Sequence, residues 1–459
     1  MSRAARPLPW RFVSALSHDL WPAVPNPDGA FVLALLFQLE RTQWLPPERL
    51  RELQSQQLDV LLRHACETVP FYRARWGRAP DAARLTELPV LTRRELQENF
   101  DALRSSAVPP QHGGTAESRT SGSTGAPVRV LKTALEGLFW RAITLRDHRW
   151  HQRDLGATLA VIRRGVTPGE SPSWGAATEG LVETGKCVLQ EVNLDVETLL
   201  DWLSRTGAGY LLTYPSLAAE LARAALARGV RIPGLREVRT LGEALDPEAR
   251  ALCREAWGAP LTDMYTAEEV GYIALQCPEH EHYHVQCESV LVEVLDERGK
   301  PCAPGETGRL VLTSLHNFAL PLVRYEIGDY AEVGEPCPCG RGLPVLRRVA
   351  GRVRNTLVTA DGRRYWPHFG SRRLHEIAPI RQHQFVQKDF ESIEARLATD
   401  RALTREEEEA LRRYVLERLP PDMRLTFSYR DEIARAASGK FEDFVSEVAE
   451  PRPVRPALQ

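Results

Sequence analysis

The sequence predicts an α/β protein in two parts: a large N-terminal domain with doubly wound mixed sheets and a β-rich subdomain, then a small α+β C-terminal domain. Three observations carry this. Between residues 128 and 267 short apolar runs alternate with helical patterns, the arrangement of a largely parallel sheet. After Thr266 the runs Val290–Leu295, Gly308–Thr313 and Tyr330–Val333 are joined by turns. Beyond Gly351 a last segment of about a hundred residues, a usual domain size, carries β-α-β signals of its own.

Taken in order, residues 1–30 are proline-rich and poorly periodic and read as an arm on the surface. From Pro47 to Cys66, Leu50, Leu53, Leu58, Leu61 and Leu62 recur at helical spacing behind Pro46. Thr92 with Glu95 reads as a capping box. Val128–Leu131 is a strand, Ala134–Arg149 a helix and Thr158–Ile162 a short buried strand. Asp195 is placed to cap a helix over Val196–Ser204. The strand Tyr210–Tyr214 ends at Pro215, ahead of a helix over Ser216–Arg228. Val238–Leu241 is a strand ending at Gly242-Glu243, and Pro247–Trp257 is helical. In the last segment the strands are Gln384–Gln387, Ser392–Ala398 and Arg424–Phe427, with a helix over Thr404–Leu419.

Composition narrows the classes. The 459 residues are 43% hydrophobic and 26% charged, as in ordinary globular proteins. A formal charge of −2 gives no global field for nucleic acid or an anionic membrane. The longest apolar run, Phe31–Phe37, is too short to span a bilayer, and Arg11, His18 and Asp19 interrupt any signal-peptide core. A cytoplasmic location is therefore expected. Eight cysteines in a chain of this size are no disulfide framework. Of the 59 basic residues only Lys132, Lys186, Lys300, Lys388 and Lys440 are lysines. A lysine here marks a place where a compact ammonium on a flexible stem is needed, and Lys440 above all.

Four short motifs carry chemistry. The first is Thr120, Ser121, Gly122, Ser123, Thr124 and Gly125, in the loop before the strand at Val128. Its glycines let the backbone approach a ligand, successive N–H groups form an anion-binding nest, and the hydroxyls add donors. No Gly-Lys-[Ser/Thr] follows, so it is not a Walker loop, and a flexible linker is the competing reading. The second motif is Tyr265-Thr266-Ala267-Glu268-Glu269, behind a strand over Leu261–Met264. The third is Arg324-Tyr325-Glu326-Ile327-Gly328-Asp329, and the fourth is Ser438-Gly439-Lys440-Phe441.

In this order the motifs resemble the ANL superfamily of adenylate-forming enzymes, and most closely the phenylacetate–coenzyme A ligase family with its capsule-biosynthesis relatives. The resemblance covers nearly the whole chain, and His64-Ala65-Cys66 with Val69-Pro70-Phe71-Tyr72 is similar to that family's opening. It implies an adenylation domain over residues 1–350 and a small mobile domain over 351–459 carrying the lysine loop. It further implies a ligase that activates a carboxylic acid, of aryl or aryl-acetic type, with ATP as an acyl-adenylate. The acyl group then passes to an acceptor, usually the thiol of coenzyme A. Two other readings stand beside this one: transfer to an amine or carrier thiol in natural-product or polysaccharide biosynthesis, and a nucleotide-binding protein that has lost catalysis.

The resemblance assigns roles residue by residue. The nest holds the β- and γ-phosphates, Glu269 takes Mg²⁺, and Tyr265, with Thr266, lies beside adenine. Asp329 accepts from the ribose hydroxyls, Arg352 is a second ribose or phosphate contact, and Gly242-Glu243 belong to the adenine and acyl-pocket segment. Lys440 bridges the substrate carboxylate and the α-phosphate. Gly351–Asn355 is where the family hinges its second domain, and this chain has Arg354 and Asn355 where many members carry acidic residues. Trp140, Tyr210, Tyr214 and Pro215 are acyl-pocket candidates, and Arg163-Arg164 are placed to meet a carboxylate or a coenzyme phosphate. Separately, Cys277-Pro278-Glu279-His280 and Cys337-Pro338-Cys339 give a Cys₃His donor set for a closed structural Zn²⁺. Spacing favours His280 as fourth ligand, with His282, His284 and Cys287 nearby. The expected partners are a small carboxylic acid and ATP, with monomer and homodimer equally compatible.

Overall fold

The structure is a computed structural model that describes residues 10–119, 127–352 and 356–448, the last without 362, 366, 368, 437 and 438. The nest (Thr120, Ser121, Gly122, Ser123, Thr124, Gly125) and the hinge pair Arg354 and Asn355 lie outside the described residues. The chain divides into two compact units, the first of residues 1–245 and 249–349 and the second of residues 350–459 together with Asp246–Glu248.

In the first unit β1 (Thr115–Arg119) and β2 (Arg129–Thr133) pair with each other antiparallel. The remaining strands are β3 (Leu159–Ile162), β4 (Gly169–Ser171), β5 (Cys187–Gln190), β6 (Tyr210–Thr213), β7 (Glu237–Leu241), β8 (Leu261–Ala267), β9 (Gly271–Gln276), β10 (Tyr283–Val285), β11 (Val290–Leu295), β12 (Thr307–Ser314), β13 (Tyr325–Val333) and β14 (Val345–Arg352). They form one sheet in the order β11-β12-β13-β14-β10-β9-β8-β7-β6-β3-β5-β4. The five strands β5, β3, β6, β7 and β8 are mutually parallel, and β9 turns back on β8. The parallel half and the β-rich half expected as separate pieces are thus joined through the β8–β9 hairpin.

The helices follow from local chemistry. Asp195 accepts from the Thr198 N–H at 2.8 Å and caps Val196–Arg205, whose Leu199, Leu200 and Leu203 are fully buried against the parallel strands. Burying each such leucine stabilises by about 1.5–3 kcal/mol. Pro215 opens the helix Pro215–Arg228 and Gly229, at φ 65°, closes it. Thr92 and Glu95 make the expected capping box of Arg93–Glu98. The N-terminal segment departs from the sequence reading. Asn26 caps a helix over Pro27–Thr42, and Val32, Leu36 and Leu39 bury its inner face.

The second unit is a four-stranded sheet in the order β19-β18-β17-β20, from β17 (Ile380–Asp389), β18 (Ser392–Thr399), β19 (Arg424–Tyr429) and β20 (Phe444–Ser446). Ahead of it lies the short hairpin of β15 (Leu357–Val358) and β16 (Arg364–Tyr365). The helices Ser371–Ile377 and Arg405–Leu416 pack on the sheet around Phe385, Ile393, Leu411, Val415 and Phe444. Among the described residues no helix is long and apolar enough to cross a membrane.

Candidate active site and metal centre

The C-terminal ends of β7 and β8 lie side by side, where ligands bind in open α/β sheets. Gly242 leaves β7 at φ 85°, and the Glu243 carboxylate accepts from the Ser216 N–H at 3.0 Å, fastening this loop to the start of the helix after β6. Tyr265 and Thr266 lie at the end of β8, and Glu269 sits in the turn to β9.

β13 approaches the same place. Opposite β12 its register slips, with Arg309 paired to Tyr330 and Val311 to Glu326. Residues 327–329 therefore bulge opposite Leu310, and Gly328 takes φ 85° inside this bulge. The bulge presents Asp329 to Tyr265, whose hydroxyl donates to Oδ2 at 2.7 Å. Four residues earlier, the Tyr325 hydroxyl donates to Glu269 Oε1 at 3.5 Å. Burial and the nearby Glu269 push the Tyr325 phenol upward, so it remains a donor. Glu269 is only 3% exposed, and Arg93 Nη1 lies 3.5 Å from its Oε1. The neighbouring Glu268 is paired with Lys132 at 2.7 Å.

Tyr265 and Glu269, from the end of β8 and the turn after it, are therefore brought together with Asp329 from a second, distant stretch of sequence. Arg93, Tyr325 and Lys132 join them without having been assigned a role from sequence. Lysine scarcity was the one signal for Lys132, and Arg93 gave none. Arg352 ends β14. Lys440 lies in the second unit, in a turn closed by the Ala436 N–H donating to its carbonyl at 2.9 Å, with Gly439 at φ 77°.

The acyl-pocket candidates divide. Tyr210 packs against Trp174 and its hydroxyl accepts from the Asp154 N–H at 2.8 Å, which makes it a core residue. Tyr214 accepts from the Arg164 N–H at 3.4 Å and so lies with Arg163-Arg164 where β3 and β6 end. Trp140 is half exposed over Tyr272.

The cysteines come together, but with a different histidine. The donor atoms of Cys277, Cys337, Cys339 and His284 all lie within 4.8 Å of one another. The Sγ atoms of Cys277 and Cys337 are 3.8 Å apart, and Cys339 Sγ is 3.4 Å from His284 Nε2. This corrects the expectation for His280, which stacks on His282 instead. The reason is the strand β10: its antiparallel pairing with β9 and β14 holds His284 fully buried beside Cys277, whereas His280 ends the outward turn after it. Burial, with Arg341 close by, pushes the His284 pKa down to about 3, and burial pushes Cys337 up to about 12.

Residues 119–319 match the AMP-binding enzyme family and residues 357–447 the CapK C-terminal domain. The phenylacetate–coenzyme A ligase of Thermus thermophilus is 27% identical over 344 residues, covering 71% of this chain and 75% of that protein. That of Escherichia coli is 26% identical, covering 68% and 73%. A solved 2-hydroxyisobutyryl-CoA ligase holding its acyl-adenylate has the same fold, with a TM-score of 0.71 at 20% identity over 89% of this chain and 92% of that one. An anthranilate–CoA ligase holding anthranoyl-AMP follows at a TM-score of 0.54, 15% identity and 87% and 79% coverage. The protein is an adenylate-forming ligase of the ANL superfamily. It belongs there to the phenylacetate–coenzyme A ligase-like family.

Proposed function

We propose that this ligase activates an aryl or aryl-acetic acid with ATP and transfers the acyl group to coenzyme A. The observation that carries the proposal is the meeting of Tyr265 with Asp329 and of Glu269 with Tyr325 at the ends of the parallel strands, beside Gly242-Glu243. The relatives' names supply the substrates, phenylacetate and coenzyme A.

In the first half-reaction a carboxylate oxygen attacks the α-phosphorus of ATP, the bond to the bridging β-oxygen breaks, and pyrophosphate leaves with that electron pair. Catalysis of this kind rests on positioning and charge stabilisation. Asp329, oriented by Tyr265, receives the ribose hydroxyls, each carboxylate oxygen having more than one lone pair to offer. Glu269 is a hard oxygen donor, and one or two carboxylates with substrate phosphates suit Mg²⁺, so it is the residue to hold that ion; when bound, Mg²⁺ supplies positive charge to the triphosphate. Lys440 neutralises the approaching carboxylate and the α-phosphate. In the second half-reaction the coenzyme thiol, losing its proton to solvent, attacks the acyl carbon, the bond from that carbon to the phosphate oxygen breaks, and AMP departs with its electron pair. The alternative acceptor, an amine or carrier thiol, is kept because the second unit matches the CapK C-terminal domain.

The test is a pyrophosphate-release screen over aryl, aryl-acetic and fatty acids, with and without coenzyme A. Release with an aryl-acetic acid and a thioester product when coenzyme A is added support the proposal. Release without any thioester moves the acceptor to an amine or carrier, and ATP binding with no release for any acid leaves a protein that has lost catalysis.

Three cysteine sulfurs, which would lose their protons to solvent as a metal binds, and one imidazole at this separation fit a closed tetrahedral Zn²⁺, with no position open for catalysis. The purified protein should carry about one zinc per chain. Cys337→Ser should lose it, as should His284→Ala, while His280→Ala should keep it, read by metal analysis and by the melting temperature.

A further inference from the structure

Arg93 belongs to neither matched region and lies well upstream of the AMP-binding segment. Its place beside Glu269 is nevertheless built in detail. Leu91 bridges β13 in parallel at Tyr325: its N–H donates to the Arg324 carbonyl at 2.8 Å, and the Glu326 N–H donates back to the Leu91 carbonyl at 2.9 Å. Arg324, at φ 50°, donates to the carbonyls of Thr86 and Leu88 and makes a two-pronged pair with Glu293 at 2.9 Å. The capping box at Thr92 then starts the helix that carries Arg93, and Glu95 of that box is paired with Arg75 at 3.1 Å. Residues 86–95 are thus stitched to the strand that bears Tyr325 and Asp329, which fixes where the Arg93 side chain begins.

We infer that Arg93 is a positioning residue for the nucleotide's divalent cation: its guanidinium holds and neutralises the Glu269 carboxylate until the metal-bound nucleotide takes over that charge. This rests on the reading of Glu269 as the Mg²⁺ carboxylate. A carboxylate only 3% exposed requires a compensating charge in every state of the enzyme. The guanidinium at 3.5 Å and the Tyr325 hydroxyl at 3.5 Å meet the same oxygen, Oε1, so they set its direction together. A cation arriving at this carboxylate shares it with Arg93, and the guanidinium lowers the gain that the metal can add to nucleotide binding. Arg93 thereby sets how strongly ATP binding depends on Mg²⁺. Arginine suits the task because it stays charged when three-quarters buried and presents its donors in a rigid fork.

The test measures ATP affinity of the full chain twice, in excess Mg²⁺ and in EDTA, and takes the ratio. In Arg93→Gln the ratio should rise about tenfold, the lower end of the coupling measured between close charges. Arg93→Lys, which keeps the charge, should return it most of the way to wild type. A role in folding alone would lower the amount of active protein and the melting temperature without moving this ratio. Glu269→Gln is run alongside and should bring the ratio close to one. If Glu269→Gln moves the ratio and Arg93→Gln does not, the inference about Arg93 is wrong while Glu269 keeps its assignment. If Glu269→Gln leaves it unchanged, the assignment of Glu269 falls, and with it the inference. A ratio that falls in Arg93→Gln overturns the stated role as well.

Discussion

Lys440→Ala lowers acid-dependent pyrophosphate release by about 10²–10³-fold, the effect of removing one preorganised donor to a developing charge, while ATP continues to bind. The reasoning begins from composition. In a chain that uses arginine almost everywhere, the lysine at this position sits in a turn whose backbone is fixed by the Ala436–Lys440 hydrogen bond and by Gly439 in the left-handed region. A point charge with three rotatable donors can follow a carboxylate and a phosphate oxygen as they approach each other, which a planar fork does less well. Lys440→Arg should therefore restore only part of the rate. Lys388 is the internal control. It lies on β17, 42% exposed, and is paired with Glu447 at 2.5 Å. A surface pair of that kind contributes about 0–1 kcal/mol, so Lys388→Ala should leave both release and stability near wild type. Pyrophosphate release and ATP binding measured on all three variants decide the matter, and full release in Lys440→Ala would remove that residue from the mechanism.

The parallel half of the fold was legible because its strands are buried on both faces and read as unbroken apolar runs such as Leu159–Ile162. Capping residues, Thr92 and Asp195 among them, marked helix starts to within a residue. What escaped was of two kinds. β1 reads Thr-Ala-Glu-Ser-Arg, is exposed along most of its length and is held by its pairing to β2, so it has no apolar period to detect. The helix Pro27–Thr42 was masked by the prolines before it, although Val32, Leu36 and Leu39 give the period once the cap at Asn26 is recognised. The site followed the same logic. Tyr265, Glu269 and Asp329 sit in motifs dense with chemistry, whereas Arg93 gains its meaning only from a bridge between Leu91 and Tyr325 that lies far apart in sequence. His284 lost to His280 on spacing because a Cys-x-x-His turn looks like a knuckle, and only the pairing of β10 shows which imidazole faces inward.

Arg153→Met should destabilise the first unit by about 3–5 kcal/mol, the cost of breaking a buried pair by removing one partner. Arg153 is 1% exposed and lies between two carboxylates, meeting Glu237 of β7 at 2.7 and 2.8 Å and Asp147 at 2.5 Å. Arg239, from the same strand, completes the group on Asp147 at 2.9 Å. Two cations and two anions thus lie beneath the strands whose ends carry Gly242-Glu243 and Tyr265. Burial alone would push the Glu237 carboxyl up, but Arg153 outweighs it and holds the group below its ordinary value; Asp147 is likewise held well below its own. Groups whose folded pKa is depressed contribute stability above the unfolded value, near pH 4, and lose it as pH falls. His148 adds to this from the other side, since burial and then Arg239 and Arg153 keep it neutral when folded, so acid below about pH 6.5 favours the unfolded chain. In Arg153→Met the Glu237 carboxylate is left buried without its main partner, and its protonation then relieves the strain on folding. The difference between wild type and variant should accordingly be largest near neutral pH and shrink toward pH 4. Arg236→Met provides the contrast a few residues away. Its pair with Asp154 at 2.7 Å is about half exposed on both sides, so its loss should cost about 0–1 kcal/mol. Urea unfolding of the three proteins at several pH values measures both quantities, and equal midpoints for Arg153→Met and Arg236→Met would show that the buried group contributes no more than a surface pair.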